Sequence, residues 1–328
     1  MLTKHPVKGI IIKYEFPAGP YQCPSYFSRE NREEREECDM KGIILAAGKG
    51  TRLYPITRPV CKPLLPVYDK PMLYYPLNVL MTAGIREILV IVPPDDMEPF
   101  VNLLGDGSSL GIHISYVEQK VQRGIADAFL IGADFIGDDS VCLALGDNIF
   151  YGPAFRGKLR EAMANPEGAT IFGYYVPDPR PFGVVEFDKA GKAISIEEKP
   201  AHPRSNYIVP GLYFYDNKVV ELAKKVQPSQ RGELEITSVN NAYLAAGMLR
   251  VVPLGDEYSW FDAGNADSLY EAAGAIRAAQ RSGRMIGCLE ETALRNGWID
   301  TDRLLELAGE MNSTRYGQYL TAIAGDLD

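Results

Sequence analysis

Histidine is nearly missing from this 328-residue chain, and its cysteines never stand in close pairs. The three histidines, His5, His113 and His202, are too scattered for the usual zinc spacing. The five cysteines, Cys23, Cys38, Cys61, Cys142 and Cys288, form no CxxC and no even framework. That usage suits a reducing compartment, so a cytoplasmic location is expected. Any metal is expected to be a hard cation held by oxygen. Long apolar runs are absent too: none approaches the roughly 18–20 residues of a membrane span. The first residues lack a basic start followed by an apolar stretch, so no secretory leader is expected. Excess positive charge is also lacking. A net charge of −9 and a pI near 5.1 argue against a nucleic-acid partner. A small anionic substrate stays open, because local Lys/Arg placement can override net charge.

What is present divides at Met40. Residues 1–39 include SRENREEREECD, charged and poor in apolar residues, which reads as a solvated or poorly ordered extension. It is expected to be dispensable, an appendage or an upstream start. From Met40 on, strand-like and helix-like runs alternate. KGIIL (41–45), EILVIV (87–92), IHISYV (112–117) and VCLAL (141–145) read as strands. Helical patterns lie between them at 70–84, after Pro94 and at 124–136. This order predicts an α/β fold, Rossmann-like, with a mostly parallel, mixed sheet covered by helices. Residues 183–200 read as a β-hairpin with an Ala-Gly turn, and GLYFY (211–215) as another strand. Helices are expected at 235–247, 266–281 and through the tail 298–320. The expected organisation is one domain over 40–328, with a nucleotide-binding part near 40–150 and a sugar-binding and oligomerisation part near 151–328.

KGIILAAGKGTRL (41–53) places a glycine-rich turn directly after a strand. It is not a dinucleotide fingerprint, because Leu53 stands where the third glycine of GxGxxG belongs. At the ribose-binding distance the chain reads LLPVYD (64–69), where Asp69 ends a proline-rich stretch, and this argues against a nicotinamide dehydrogenase. The Walker A frame is missing as well. What remains can line an anion pocket with backbone N–H groups, aided by the Arg52 guanidinium. Lys62, ten residues on, sits in a segment stiffened by Pro63 and Pro66.

LAAGKGTRL followed by KPLLPVYDKP resembles the sugar-1-phosphate nucleotidyltransferases. FGVVEF (182–187), EEKP (197–200), GLYFYD (211–216), RGELEIT (231–237) and YGQYL (316–320) extend the likeness over about residues 40–320, toward the glucose-1-phosphate thymidylyltransferases. The resemblance implies transfer of a thymidylyl group from dTTP to glucose 1-phosphate, giving dTDP-glucose and pyrophosphate, the first step toward dTDP-rhamnose. It implies Arg52 and Lys62 as catalytic cations on the nucleotide phosphates. Leu45, Gly48, Gly50, Thr51, Gln119 and Gly124 would surround the nucleotide. Asn148, Gly183, Glu198, Lys199, Val209 and Arg231 would hold the sugar phosphate, and Asp147 and Asp262 would ligate Mg2+. It further implies a homotetramer inhibited by the pathway end product.

Each residue also has a plainer reading. Asp147 in LGDN fits a turn or helix cap, and Asp262 in WFDAG an Asx turn. Gln119 alone reads as a surface glutamine after a strand, and Glu198 with Lys199 as solvated hairpin charges. Trp260 either stacks on a ligand or packs in the core. Cys61 is expected to be structural, since no histidine stands near it. Two positions depart from the family pattern: Asp127, where relatives carry glutamine, and Pro210, where they carry threonine. Thymine and uracil present the same pairing edge, so a uridylyl or other nucleotidyl donor is the alternative reading. A non-catalytic sugar-nucleotide sensor is a further one, though it would be expected to lose a cation or a metal carboxylate.

Overall fold

The computed structural model describes residues 40–165 and 167–325. The segment 1–39 lies outside the described residues. β1 (Met40–Leu45) puts Ile43 and Ile44 on opposite faces, each fully buried in a different core cluster. A strand buried on both sides reads as a continuous apolar run, which is why MKGIIL is legible. The segment expected to open as a helix at residue 70 instead forms a small hairpin. β2 (Pro66–Val67) pairs with β3 (Lys70–Pro71), and α1 (Tyr74–Thr82) begins only afterwards. The buried Lys70 ammonium explains the detour: Asp69 holds it at 2.6 Å and Gln280 at 3.1 Å.

β4 (Glu87–Val92), α2 (Met97–Leu104) and β5 (His113–Glu118) follow as the periodicity predicts. The helix expected over 124–136 is two short ones, α3 (Asp127–Ile131) and α4 (Ala133–Ile136). They meet at Gly132, where a Cβ would stand 2.9 Å from Ile43 Cδ1 of the sheet. β6 (Ser140–Leu145) completes a parallel quartet in the order β6-β1-β4-β5.

From there the sheet changes character. β7 (Ile149–Tyr151) leaves it, α5 (Phe155–Met163) crosses over, and β8 (Ala169–Tyr175) returns. The expected hairpin is β9 (Gly183–Phe187) with β10 (Ala193–Glu198). β11 (Tyr207–Ile208) and β12 (Leu212–Tyr215) fill the space between it and β6. Pairings along β10-β9-β11-β8-β12-β6 are antiparallel. The sheet of ten strands is therefore mixed, parallel from β6 to β5 and antiparallel along the path from β10 to β6.

α6 (Val219–Lys225), α7 (Ile236–Ala245) and β13 (Leu249–Leu254) come next, with β13 parallel to β8. β14 (Ser259–Phe261) pairs back onto β7, and α8 (Ala266–Ala279) leaves it through an Asn265–Ser268 capping box. The tail is α9 (Leu289–Arg295), α10 (Thr301–Glu310) and α11 (Arg315–Gly325), with a turn between the last two. β8 and β13 carry no strong alternating pattern, which hid them from sequence reading.

Candidate active site

Gly50 takes φ +60°, and a Cβ there would lie 3.0 Å from Lys62 Cβ. The left-handed turn and the close approach both demand glycine. They set the glycine loop directly on Lys62. Gly48 and Thr51 on that loop are exposed. Lys62 itself is 5% exposed, and its Nζ lies 2.5 Å from Asp147 Oδ2. Leu45, at the end of β1, accepts the N–H of Gly146 at 2.9 Å, which brings the glycine loop beside Asp147.

Asp147 and Asp262 share one end of a two-stranded ribbon. Ile149 of β7 pairs with Phe261 of β14, so Asp147 precedes one strand and Asp262 follows the other. Beside them Ala263 holds φ +34°, a strained value for a residue with a Cβ and one that recurs at functional sites. A Cβ on Gly264 would stand 2.9 Å from both Arg52 Nη2 and Asp262 Oδ2, so Arg52 and Asp262 converge on the same point. Arg52 makes no ion pair among the described residues and is exposed, open to an anion. The two carboxylates suit a hard divalent cation. No group of three metal-ligating side chains stands together among the described residues, so phosphate and water oxygens would supply the remaining ligands.

Asn148 is 4% exposed, and its amide is largely committed. Its Oδ1 accepts from Gly211 N at 3.0 Å and from Trp260 Nε1 at 2.6 Å, while Nδ2 donates to Asp147 at 2.8 Å. Trp260 therefore packs and positions. Its ring meets Phe182 and Tyr174 edge-on.

The hairpin gathers the other sugar-side candidates. Gly183 pairs with Glu198 across β9 and β10, and its carbonyl accepts from Val209 N at 2.8 Å. Glu198 accepts from Thr237 Oγ1 at 2.5 Å and from Arg231 Nη2 at 3.2 Å. Arg231 also meets Glu235 at 2.8 Å and Glu233 at 3.5 Å. Lys199 lies 3.9 Å from Glu198 and takes φ +45°. Tyr213 connects the halves: its phenol is pushed above its ordinary value by burial and then by the charges of Glu198 and Asp147. Thr237, Glu235 and Tyr213 escaped the sequence reading. Only RGELEIT carried a signal for the first two.

Gln119, 4% exposed, lines a cleft of about 700 Å3 with Gly48, Lys49, Tyr54, Arg58 and Lys120. Gly124 takes φ +109°, and a Cβ there would stand 2.5 Å from Leu234 O and 2.6 Å from Leu234 N. It needs to be glycine because the 229–235 loop runs against it. Cys61, on the cleft wall, has its thiol pushed up to about 12 by burial and then by Asp96. A thiol so hard to ionise fits the structural reading.

The sequence profile of the Nucleotidyl transferase family matches residues 41–279. The chain belongs to that family. Among its curated relatives, a glucose-1-phosphate thymidylyltransferase of Neisseria meningitidis serogroup A is 57% identical over 282 residues, 86% of this chain and 98% of that one. The enzyme of the same name in Mycobacterium tuberculosis is 53% identical over 282 residues, with the same coverage. A crystal structure described as a glucose-1-phosphate thymidylyltransferase from Bacillus anthracis, with sucrose bound, superimposes with TM-score 0.68 at 42% identity. It covers 73% of this chain and 95% of that one. A UDP-glucose pyrophosphorylase with UDP-glucose, at 22% identity and TM-score 0.63, shares the fold. This chain is thus a nucleotidyltransferase, with the mixed sheet of that fold.

Proposed function

We propose that the chain transfers a thymidylyl group from dTTP to glucose 1-phosphate, releasing pyrophosphate and dTDP-glucose. The observation that carries this reading is the Lys62–Asp147 contact, with Lys62 against Gly50 of the glycine loop and Asp147 acting, as Glu198 does, on the buried Tyr213. Both reactants are polyanions, so alignment and charge neutralisation dominate the barrier. The glycine-loop N–H groups, Arg52 and Lys62 hold the nucleotide phosphates and stabilise charge as pyrophosphate leaves. Lys199 and Arg231 steer the sugar phosphate, whose oxygen attacks the α-phosphorus in line. Gly183, Glu198 and Val209 hold the sugar hydroxyls, with Asn148 setting Asp147 beside them. Gln119 reads the base, with Gly124 shaping the loop behind it. Asp147 and Asp262 would hold Mg2+, which when bound neutralises phosphate charge.

The division of labour is nucleotide by 40–150 and sugar by 151–328, with 1–39 dispensable. A homotetramer under end-product inhibition is the proposed assembly. Tyr270 on α8, 80% exposed, supports a face that another copy covers. A smaller cavity of about 240 Å3, lined by Arg284 and Arg315, offers guanidinium groups away from the cleft. A cytoplasmic location is supported by cysteine usage with no CxxC pair and no even framework, and the product would feed a dTDP-rhamnose type of synthesis. No helix among the described residues is long and apolar enough to cross a membrane.

The test is pyrophosphate release with glucose 1-phosphate and Mg2+, offering dTTP, UTP, CTP, ATP and GTP in turn, with Asp147→Asn as control. Strong release with dTTP that the variant abolishes is the expected result. Release with UTP alone would favour the uridylyl reading, and silence with every nucleotide would favour a sensor.

A further inference from the structure

Gln119 and Asp127 are 4% and 1% exposed, and Gln119 Nε2 donates to Asp127 Oδ2 at 3.0 Å. Arg123 Nη2 holds the other carboxylate oxygen at 2.7 Å. A carboxylate paired with arginine only accepts hydrogen bonds, so the amide nitrogen must face it. The Gln119 Oε1 is thereby turned the other way. It accepts no hydrogen bond from the described residues, and Gln119 lines the 700 Å3 cleft.

We infer that Asp127 is a positioning residue that sets base choice by locking the Gln119 amide. The inference rests on the thymidylyl-transfer reading and deepens it. The locked amide presents an acceptor, Oε1, beside the second hydrogen of Nε2. Thymine and uracil offer the complement, an N3–H donor beside the O4 acceptor. Cytosine offers the reverse, an N3 acceptor beside an amino donor. Reading cytosine would require the amide to turn over, setting Oε1 against the Asp127 carboxylate. Two buried acceptors would then face each other unpaired, a strong basis for rejection. Relief of this lock, rather than loss of a direct contact, is what an Asp127 variant would show.

The experiment compares kcat/KM for dTTP and dCTP in the full chain, in Asp127→Asn and in the charge-balanced Arg123→Gln/Asp127→Asn double variant. Asparagine can accept or donate, so the amide of Gln119 becomes free to turn. The dTTP-to-dCTP ratio is expected to fall roughly tenfold or more in both variants. An equal fall with both nucleotides, at an unchanged ratio, would mean that Asp127 only packs, and would overturn the inference. Inactivity of the wild-type chain with dTTP would instead overturn the underlying reading, and the inference with it. Should the variants melt below the assay temperature, a structure of the wild-type chain with dTTP decides. Gln119 amide atoms within hydrogen-bond reach of thymine N3 and O4, with Nε2 still on Asp127, uphold the inference. A base bound elsewhere sinks it.

Discussion

Lys62 Nζ lies 2.5 Å from Asp147 Oδ2, across 85 residues of chain. A cation that is 5% exposed thus meets a carboxylate two residues beyond the end of β6. On the proposed reading, Lys62→Met removes the charge that stabilises the leaving pyrophosphate. It is expected to lower kcat by about 10²–10³, the usual cost of one such donor. Steady-state pyrophosphate release measures this, and a loss under threefold would remove Lys62 from the catalytic role.

Thr237 donates to Glu198 Oε2 at 2.5 Å, beside Gly183. Thr237→Val keeps the shape and loses the hydroxyl, freeing the carboxylate to drift. A bond to a charged group contributes about 1.5–3 kcal/mol. The KM for glucose 1-phosphate is expected to rise roughly tenfold, with the KM for dTTP changed little. Equal shifts in both constants would show that Thr237 does not serve the sugar side.

Gly124→Ala adds a Cβ 2.5 Å from the Leu234 carbonyl oxygen at φ +109°. The clash and the backbone strain together are expected to cost about 1–3 kcal/mol. Denaturant melts read this directly. Because the displaced 229–235 loop carries Arg231, the KM for glucose 1-phosphate should rise as well.

Glu290 is buried and accepts from the Tyr316 hydroxyl and the Cys288 thiol. Burial, the largest cause, raises its pKa above 4.5 despite those bonds. The folded chain thus holds this proton more tightly than the unfolded chain does. Stability from this group is full below pH 4.5 and falls as the pH climbs through the raised folded value. Glu290→Gln removes that slope. The melting-temperature difference, wild type minus variant, should decrease as the pH rises from 4 toward 7. A constant difference would show that the carboxylate does not titrate there.

The parallel half of the sheet was legible because its inner strands, buried on both faces, become short apolar runs, while the edge strand β5 alternates apolar and polar residues. β4 matches its predicted span, and β1, β5 and β6 lie within a residue of theirs. The 70–84 run was misread at its start because Lys70 is buried by partners far along the chain, a contact without local trace. The helix at 124–136 was split by Gly132 packing on Ile43, equally non-local.

The sequence by itself determined the inventory: a glycine loop after a strand, the cations Arg52 and Lys62, the carboxylates Asp147 and Asp262, and a hairpin ending in Glu198 and Lys199. Such features follow from the periodicity and side-chain chemistry of neighbouring residues. Only the tertiary structure decided how they combine. Pairing of β7 with β14 sets Asp262 near Asp147, burial joins Lys62 to Asp147, and Leu234 lies against Gly124. Asp127, a single acid in the sequence, becomes the residue that orients Gln119 only once both are buried side by side. These are contacts between distant segments, fixed by packing the whole sheet, and no local pattern encodes them.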